Sequence, residues 1–313
     1  MKALIFIFLI VSLLNASEFN EASEYYKNKQ YKKAFNIYNK LAYENNVTAQ
    51  YNLAIMYYNG IGVEKNLIQA FIWLSSAAKS GNKEAQNKLG YMYEKGVIPD
   101  IKDTKKAIEL YEKSAKQGYV LAQLNLAMYY SSFLNKQSIK KALYWYNKAY
   151  ESGNIVAINN LATMYYFGTG VKKDYKKAFK LYQEGANKND KLAQYNLAMM
   201  YYSGTGVKID YKQAFKWLKK AAINGNKLAQ LKLGHFYRQG NNLVNQDYKK
   251  SLYWYFKAAK QKYPPAQYYV GFCYYNGYGI EKDKKKAAYW MDLSAQNGYK
   301  FAKDFIKRHK LYY

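Results

Sequence analysis

An alanine opens the same phrase eight times along the chain, at Ala49, Ala85, Ala122, Ala157, Ala193, Ala229, Ala266 and Ala302, at intervals of 35 to 37 residues. A fixed period of this length means that each unit is too small to bury its own apolar face, so neighbouring units must stack. One elongated domain follows, in place of the two globular ones that 313 residues would otherwise indicate. Half of the residues are apolar, enough for a core running the length of the stack.

Each phrase predicts a helix. Counted from its anchor, the fourth residue is Leu or Val (Leu53 to Val270), the fifth Ala or Gly (Ala54, Gly90, Ala127, Ala162, Ala198, Gly234, Gly271), and the eighth always Tyr (Tyr57 to Tyr274). Positions 0, 4, 5 and 8 share one helix face, and the small fifth residue admits a second helix at close range. A glycine turn then ends the helix, clearest at Gly60-Ile61-Gly62, Gly168-Thr169-Gly170, Gly204-Thr205-Gly206 and Gly277-Tyr278-Gly279. The second, third and sixth units depart from it with Gly96-Val97-Ile98, Ser131-Ser132-Phe133 and Gly240-Asn241-Asn242, where local geometry should differ. A capping residue announces each second helix: Asn66, Asp103, Ser138, Asp174, Asp210, Asp247 and Asp283. Three residues past each second-helix Ala or Ser comes a large apolar group expected in the core: Trp73, Leu110, Trp145, Leu181, Trp217, Trp254 and Trp290. Gly81, Gly118, Gly153, Gly225, Gly298 and Asn189 close these helices; Lys262, followed by Tyr263-Pro264-Pro265, breaks the pattern and predicts a stiffer or displaced junction.

Met1-Lys2, the apolar run from Ala3 to Val11 and the small residue Ala16 have the layout of a secretory signal peptide, with cleavage expected after Ala16. The run is too short for a membrane span, which needs about 20 apolar residues, so the mature chain is expected to lack one and to be periplasmic or secreted. Cys273, the sole cysteine, excludes an intramolecular disulfide, and it occupies a place filled by Met56, Met92, Met164 and Met200 elsewhere, which marks it as a soft apolar filler. The formal charge of +28 draws anionic partners; export points away from nucleic acid and towards an acidic protein or an anionic envelope polymer.

The residues carry no catalytic, metal or cofactor signature. Two histidines, His235 and His309, are too few for a histidine-rich metal centre, and His235 reads as a packing or groove residue. Three Ser-x-x-Lys matches, beginning at Ser76, Ser80 and Ser138, are what a lysine-rich chain produces by chance, and no partner motif accompanies them.

With Ala193-Gln-Tyr-Asn-Leu-Ala-Met-Met-Tyr-Tyr-Ser-Gly-Thr-Gly-Val207 followed by Asp210-Tyr-Lys-Gln-Ala-Phe-Lys-Trp-Leu-Lys-Lys-Ala-Ala222, the chain resembles the Sel-one-like repeat family, a branch of the tetratricopeptide-like solenoids with bacterial exported members. The resemblance implies an all-α, right-handed superhelical solenoid of helix-turn-helix repeats, with a signal peptide (1–16), a tetratricopeptide-like unit (17–48), seven Sel-one-like repeats (49–301) and a capping helix (302–313). It also implies a protein-interaction scaffold whose first helices line a concave groove. The family's cysteine-rich branch, associated with penicillin binding or β-lactamase activity, pairs cysteines in each repeat; this chain lacks those pairs, so that activity is only the alternative.

In that fold the second, third, sixth and ninth residues after each anchor line the groove. The expected set is Tyr51, Asn52, Tyr58, Lys88, Asn125, Asn160, Tyr166, Asn196, Tyr202, Lys232, Arg238 and Tyr275. A ladder of amides at Asn52, Asn125, Asn160 and Asn196 can grip the main chain of an extended peptide, Lys88 and Lys232 add attraction for carboxylates, and the tyrosines add contact area with few rotors to freeze.

Overall fold

The computed structural model describes residues 16–133, 135–240 and 242–311. The expected leader lies outside the described residues except for Ala16. Every regular element described is an α-helix, and the chain falls into two units, residues 1–152 and 153–313.

The first unit holds α1 (16–27) and α2 (Tyr31–Tyr43), then α3 (Val47–Asn59) with α4 (Leu67–Lys79), α5 (Lys83–Lys95) with α6 (Thr104–Lys116), and α7 (Val120–Ser131) with α8 (Lys136–Glu151). The second holds α9 (Ile155–Phe167) with α10 (Tyr175–Asn187), α11 (Lys191–Ser203) with α12 (Tyr211–Ile223), α13 (Lys227–Gln239) with α14 (Tyr248–Ala259), α15 (Pro264–Asn276) with α16 (Lys284–Gln296), and α17 (Lys300–His309). Each anchor alanine lies buried near the start of an odd-numbered helix, so within each unit the repeats form an all-α solenoid of stacked helix pairs.

The anchor phrase Ala-Gln has a specific use. Gln50, Gln86, Gln123, Gln194 and Gln230 are buried, and each donates its side-chain amide back to a carbonyl near the end of the preceding second helix, at 2.9 to 3.3 Å. At Gln86, Gln194, Gln230 and Gln267 the amide oxygen accepts from the tenth residue after the next second-helix alanine or serine: from Gln117, Asn224, Gln261 and Asn297 in turn. Gln86, Gln194 and Gln230 thereby each tie a first helix to the second helices on either side of it.

Packing between paired helices centres on the fifth residue of the first helix. Opposite it stands the residue four beyond the second-helix anchor: Leu74, Tyr111, Tyr146, Tyr182, Leu218, Tyr255 and Met291, all buried. This column is the deepest, one place beyond the expected one, in which Trp145, Leu181 and Trp217 are buried but Trp73, Leu110, Trp254 and Trp290 only half-buried. Where the ring lies directly over the first helix, the fifth residue is glycine: a Cβ on Gly234 would sit 2.3 Å from Cε1 of Tyr255, and one on Gly90 2.9 Å from Cε1 of Tyr111.

Six expected caps hold, each side chain accepting from a backbone N–H in the first turn of its helix: Asn66, Asp103, Asp174, Asp210, Asp247 and Asp283. Ser138 does not. Without the glycine turn in that unit, α8 begins earlier, and Asn135 caps it by accepting from the N–H of Ser138 at 2.9 Å. At the Lys262 junction α14 ends one residue earlier than α10, α12 and α16, Lys262 takes the left-handed conformation (φ 55°) that glycine or Asn189 supplies elsewhere, and Pro264 fits the first turn of α15.

Candidate functional site

The twelve groove candidates all lie on first helices, and the structure gathers four of them. Tyr51 and Tyr58 of α3, Lys88 of α5 and Asn125 of α7 line one cleft of about 330 Å³ with Ile55, Asn87, Tyr91 and Tyr119. Its centre is Lys88. The ammonium stands 3.6 Å from the ring centroid of Tyr58 and 5.2 Å from that of Tyr91, a geometry in which ring quadrupoles attract the cation. Burial lowers its pKa, and the same burial pushes the Tyr51 hydroxyl up to about 12, with Tyr119 and Glu84 adding to the rise. Glu84 also faces the cleft. No carboxylate among the described residues stands within 4.0 Å of the Lys88 ammonium, which is half-buried against aromatic faces.

The other candidates are more dispersed. Asn52 lines an adjoining cleft with Ser23, Tyr26 and Tyr38 of α1 and α2. In the second unit Tyr166 packs edge-on against Tyr175, and Tyr202 against Tyr211. Arg238 holds its guanidinium 5.7 Å from the Tyr269 ring, and its Nε is buried without a hydrogen-bond partner. Tyr275 is engaged by the last helix, its hydroxyl 3.1 Å from His309 Nδ1 and its ring edge-on to Phe305. Asn196 and Lys232 are half-buried on α11 and α13.

The amide column is not a row of free groups. Asn160 donates to the carbonyl of Val156 one turn back, and Asn125 donates to Asn87 across the gap between α7 and α5 at 2.9 Å. The second contact braces the cleft. Tyr119 escaped the column rule, since it precedes its anchor; the signal for it is that Tyr119, Tyr263 and Tyr299 stand where Asn46, Asn82, Asn154, Asp190 and Asn226 cap the other first helices.

His235 packs. Its Nδ1 lies 2.8 Å from the Tyr255 hydroxyl and its ring centroid 4.5 Å from that of Tyr269. Burial first, then the charges of Arg238 and Lys232, lower its pKa to about 4. Cys273 is wholly buried, which pushes its thiol up to about 12, the behaviour of a packing group. Among the described residues no group of three or more His, Cys, Asp or Glu is placed to hold a metal, and no helix is long and apolar enough to cross a membrane.

Stacked helix pairs with variable, partly aromatic first-helix surfaces define a helical-repeat scaffold of the tetratricopeptide-like kind. The chain belongs to the Sel1 repeat family, whose pattern matches seven consecutive segments, residues 47–82, 83–119, 120–154, 155–190, 191–226, 227–263 and 264–299. It is similar to the crystal structure of a Sel1 repeat protein from Oxalobacter formigenes, with 30% identity and a TM-score of 0.79 over 94% of this chain and 87% of that one. It is also similar to a protective antigen of uropathogenic Escherichia coli with an SLR fold, with 31% identity and a TM-score of 0.74 over 92% of this chain and 62% of that one. A sel1-like repeat-containing protein of Acanthamoeba polyphaga mimivirus is 32% identical over 122 residues, 39% of this chain and 22% of that one, so the chain spans under a quarter of that curated relative.

Proposed function

We propose that this protein is an exported scaffold that holds an acidic, extended protein segment against the concave face formed by its first helices, with the cleft around Lys88 as its centre. Repeats of this family serve protein–protein interaction, and the residue types in the cleft suit the same use. The observation that carries the reading is Lys88, partly stripped of water, cradled by Tyr58 and Tyr91 and lacking an internal carboxylate partner. A carboxylate arriving there gains a charge-assisted bond in a partly dry setting, while Tyr51 and the Asn87–Asn125 pair offer groups for main-chain recognition. The layout of residues 1–16 supports export.

A second reading, adhesion to a polyanion through charge alone, draws on the basic excess, and an equal-charge comparison separates the two. Calorimetric titration with a short Asp- and Glu-rich peptide should show Lys88→Gln weakening binding about tenfold, while Lys257→Gln, which removes the same charge from an exposed site on α14, changes it less than twofold. Equal small losses from both, vanishing together in high salt, would replace groove recognition with adhesion.

A further inference from the structure

In three of the four repeats with a regular turn, the second glycine presses on the start of the preceding second helix. A Cβ on Gly62 would lie 2.5 Å from the carbonyl oxygen of Tyr31, on Gly206 2.4 Å from that of Tyr175, and on Gly279 2.3 Å from that of Tyr248. The sixth unit cannot make this contact. Its turn, Gly240-Asn241-Asn242-Leu243, has no second glycine, and Gly240 combines φ 67° with ψ 161°, where the corresponding glycines have ψ between 24° and 48°. The turn therefore starts from a different backbone setting at Gly240, and the seat at Tyr211 receives no glycine.

Beneath it is a pocket of about 290 Å³, lined chiefly by Met199, Tyr202, Tyr211, Phe215, Phe236 and Leu243. No charged side chain lines it. An apolar cavity of about 150 Å³ already admits a benzene ring, so this one accommodates a bulky side chain. The unit that holds it is strongly basic, which favours an acidic segment: residues 153–313 carry 29 Lys and Arg against 9 Asp and Glu, and five of those acids, Asp174, Asp190, Asp210, Asp247 and Asp283, are engaged as helix caps. Met199 and Tyr202 also stand in the sixth and ninth columns of the binding face.

We propose that the irregular sixth turn creates an anchor pocket for one aromatic side chain of the bound segment, flanked by carboxylates. This rests on the scaffold reading above and adds its specificity: the segment is acidic with a buried phenylalanine-like residue, read at one repeat.

The test uses the full chain and two synthetic peptides, Asp-Glu-Glu-Phe-Glu-Glu-Asp and its Phe→Ala form. The phenylalanine peptide should bind about tenfold or more tightly than the alanine form, the scale expected for burying one aromatic side chain. Replacing residues 240–246 by the six-residue turn of residues 204–209, or filling the pocket with Met199→Trp, should bring the phenylalanine peptide down to the affinity of the alanine form. Equal binding of the two peptides to the unaltered protein would overturn the pocket and spare the scaffold; binding of neither would overturn both. An advantage for phenylalanine that survives in folded Met199→Trp protein would place the anchor elsewhere and sink the assignment.

Discussion

At the scale of single residues, the glutamine relay makes the clearest prediction. Gln50 and Gln123 are the two relay glutamines whose side-chain oxygens are buried without a partner, and the residues that should serve them are Ser80 and Ser152. Serine is shorter than the Asn or Gln found at 117, 224, 261 and 297, which accounts for both orphans. Ser80→Asn should therefore stabilise the protein by about 1 kcal/mol, the net worth of one hydrogen bond to a buried acceptor, seen as a higher urea midpoint with unchanged slope; no gain would mean that the relay is a packing coincidence. His235 gives a pH-dependent counterpart. Its pKa is about 4 in the folded chain and about 6.5 when unfolded, so between those values the unfolded chain binds more protons and stability falls as pH falls. The drop in thermal midpoint from pH 7 to pH 4.5 should be smaller in His235→Leu than in the parent.

At the scale of elements, a fifth-position glycine and the ring above it act as a pair. Gly234→Ala puts a methyl group into the space of the Tyr255 ring and should cost about 1–3 kcal/mol, as overpacking does; Tyr255→Leu, the residue type that faces Ala54 and Ala198, should recover part of that cost in a double-mutant cycle. Asp283→Ala should cost about 1 kcal/mol by freeing the Lys286 N–H that Asp283 now accepts at 2.8 Å, read from the same denaturation curves. Elements were the most legible level of this sequence. Anchors, turns and six of seven second-helix caps could be read because the same local physics is written seven times, and errors came where a unit departs from its siblings. Ser138 failed as a cap once α8 had started at Lys136, and the expected large apolar column packs at the core, buried at Trp145, Leu181 and Trp217, while the side chains one place further on lie deeper. The binding face was legible only as columns. Which members converge depends on how side chains fold against neighbouring helices: Asn160 turns back on its own helix, Asn125 reaches Asn87, and Tyr119 joins the cleft from outside the period.

At the scale of the whole molecule, a chain of net charge +28 repels itself. Among the described residues most ion pairs are exposed lysines bound to carboxylates within a helical turn and contribute little each. Raising ionic strength from about 10 to about 150 mM screens that repulsion, and the thermal midpoint should rise; a fall would mean that those pairs outweigh it. The same charge will attract any anionic probe, which is why affinity alone does not locate the binding face. Position does. Photo-crosslinking of a labelled acidic peptide from a benzoylphenylalanine placed at residue 58, in the Lys88 cleft, and from one placed at residue 253, exposed on α14, settles it most directly. A strong adduct from position 58 that persists at physiological salt, with little from 253, is the predicted result; comparable adducts from both would contradict a dedicated recognition face.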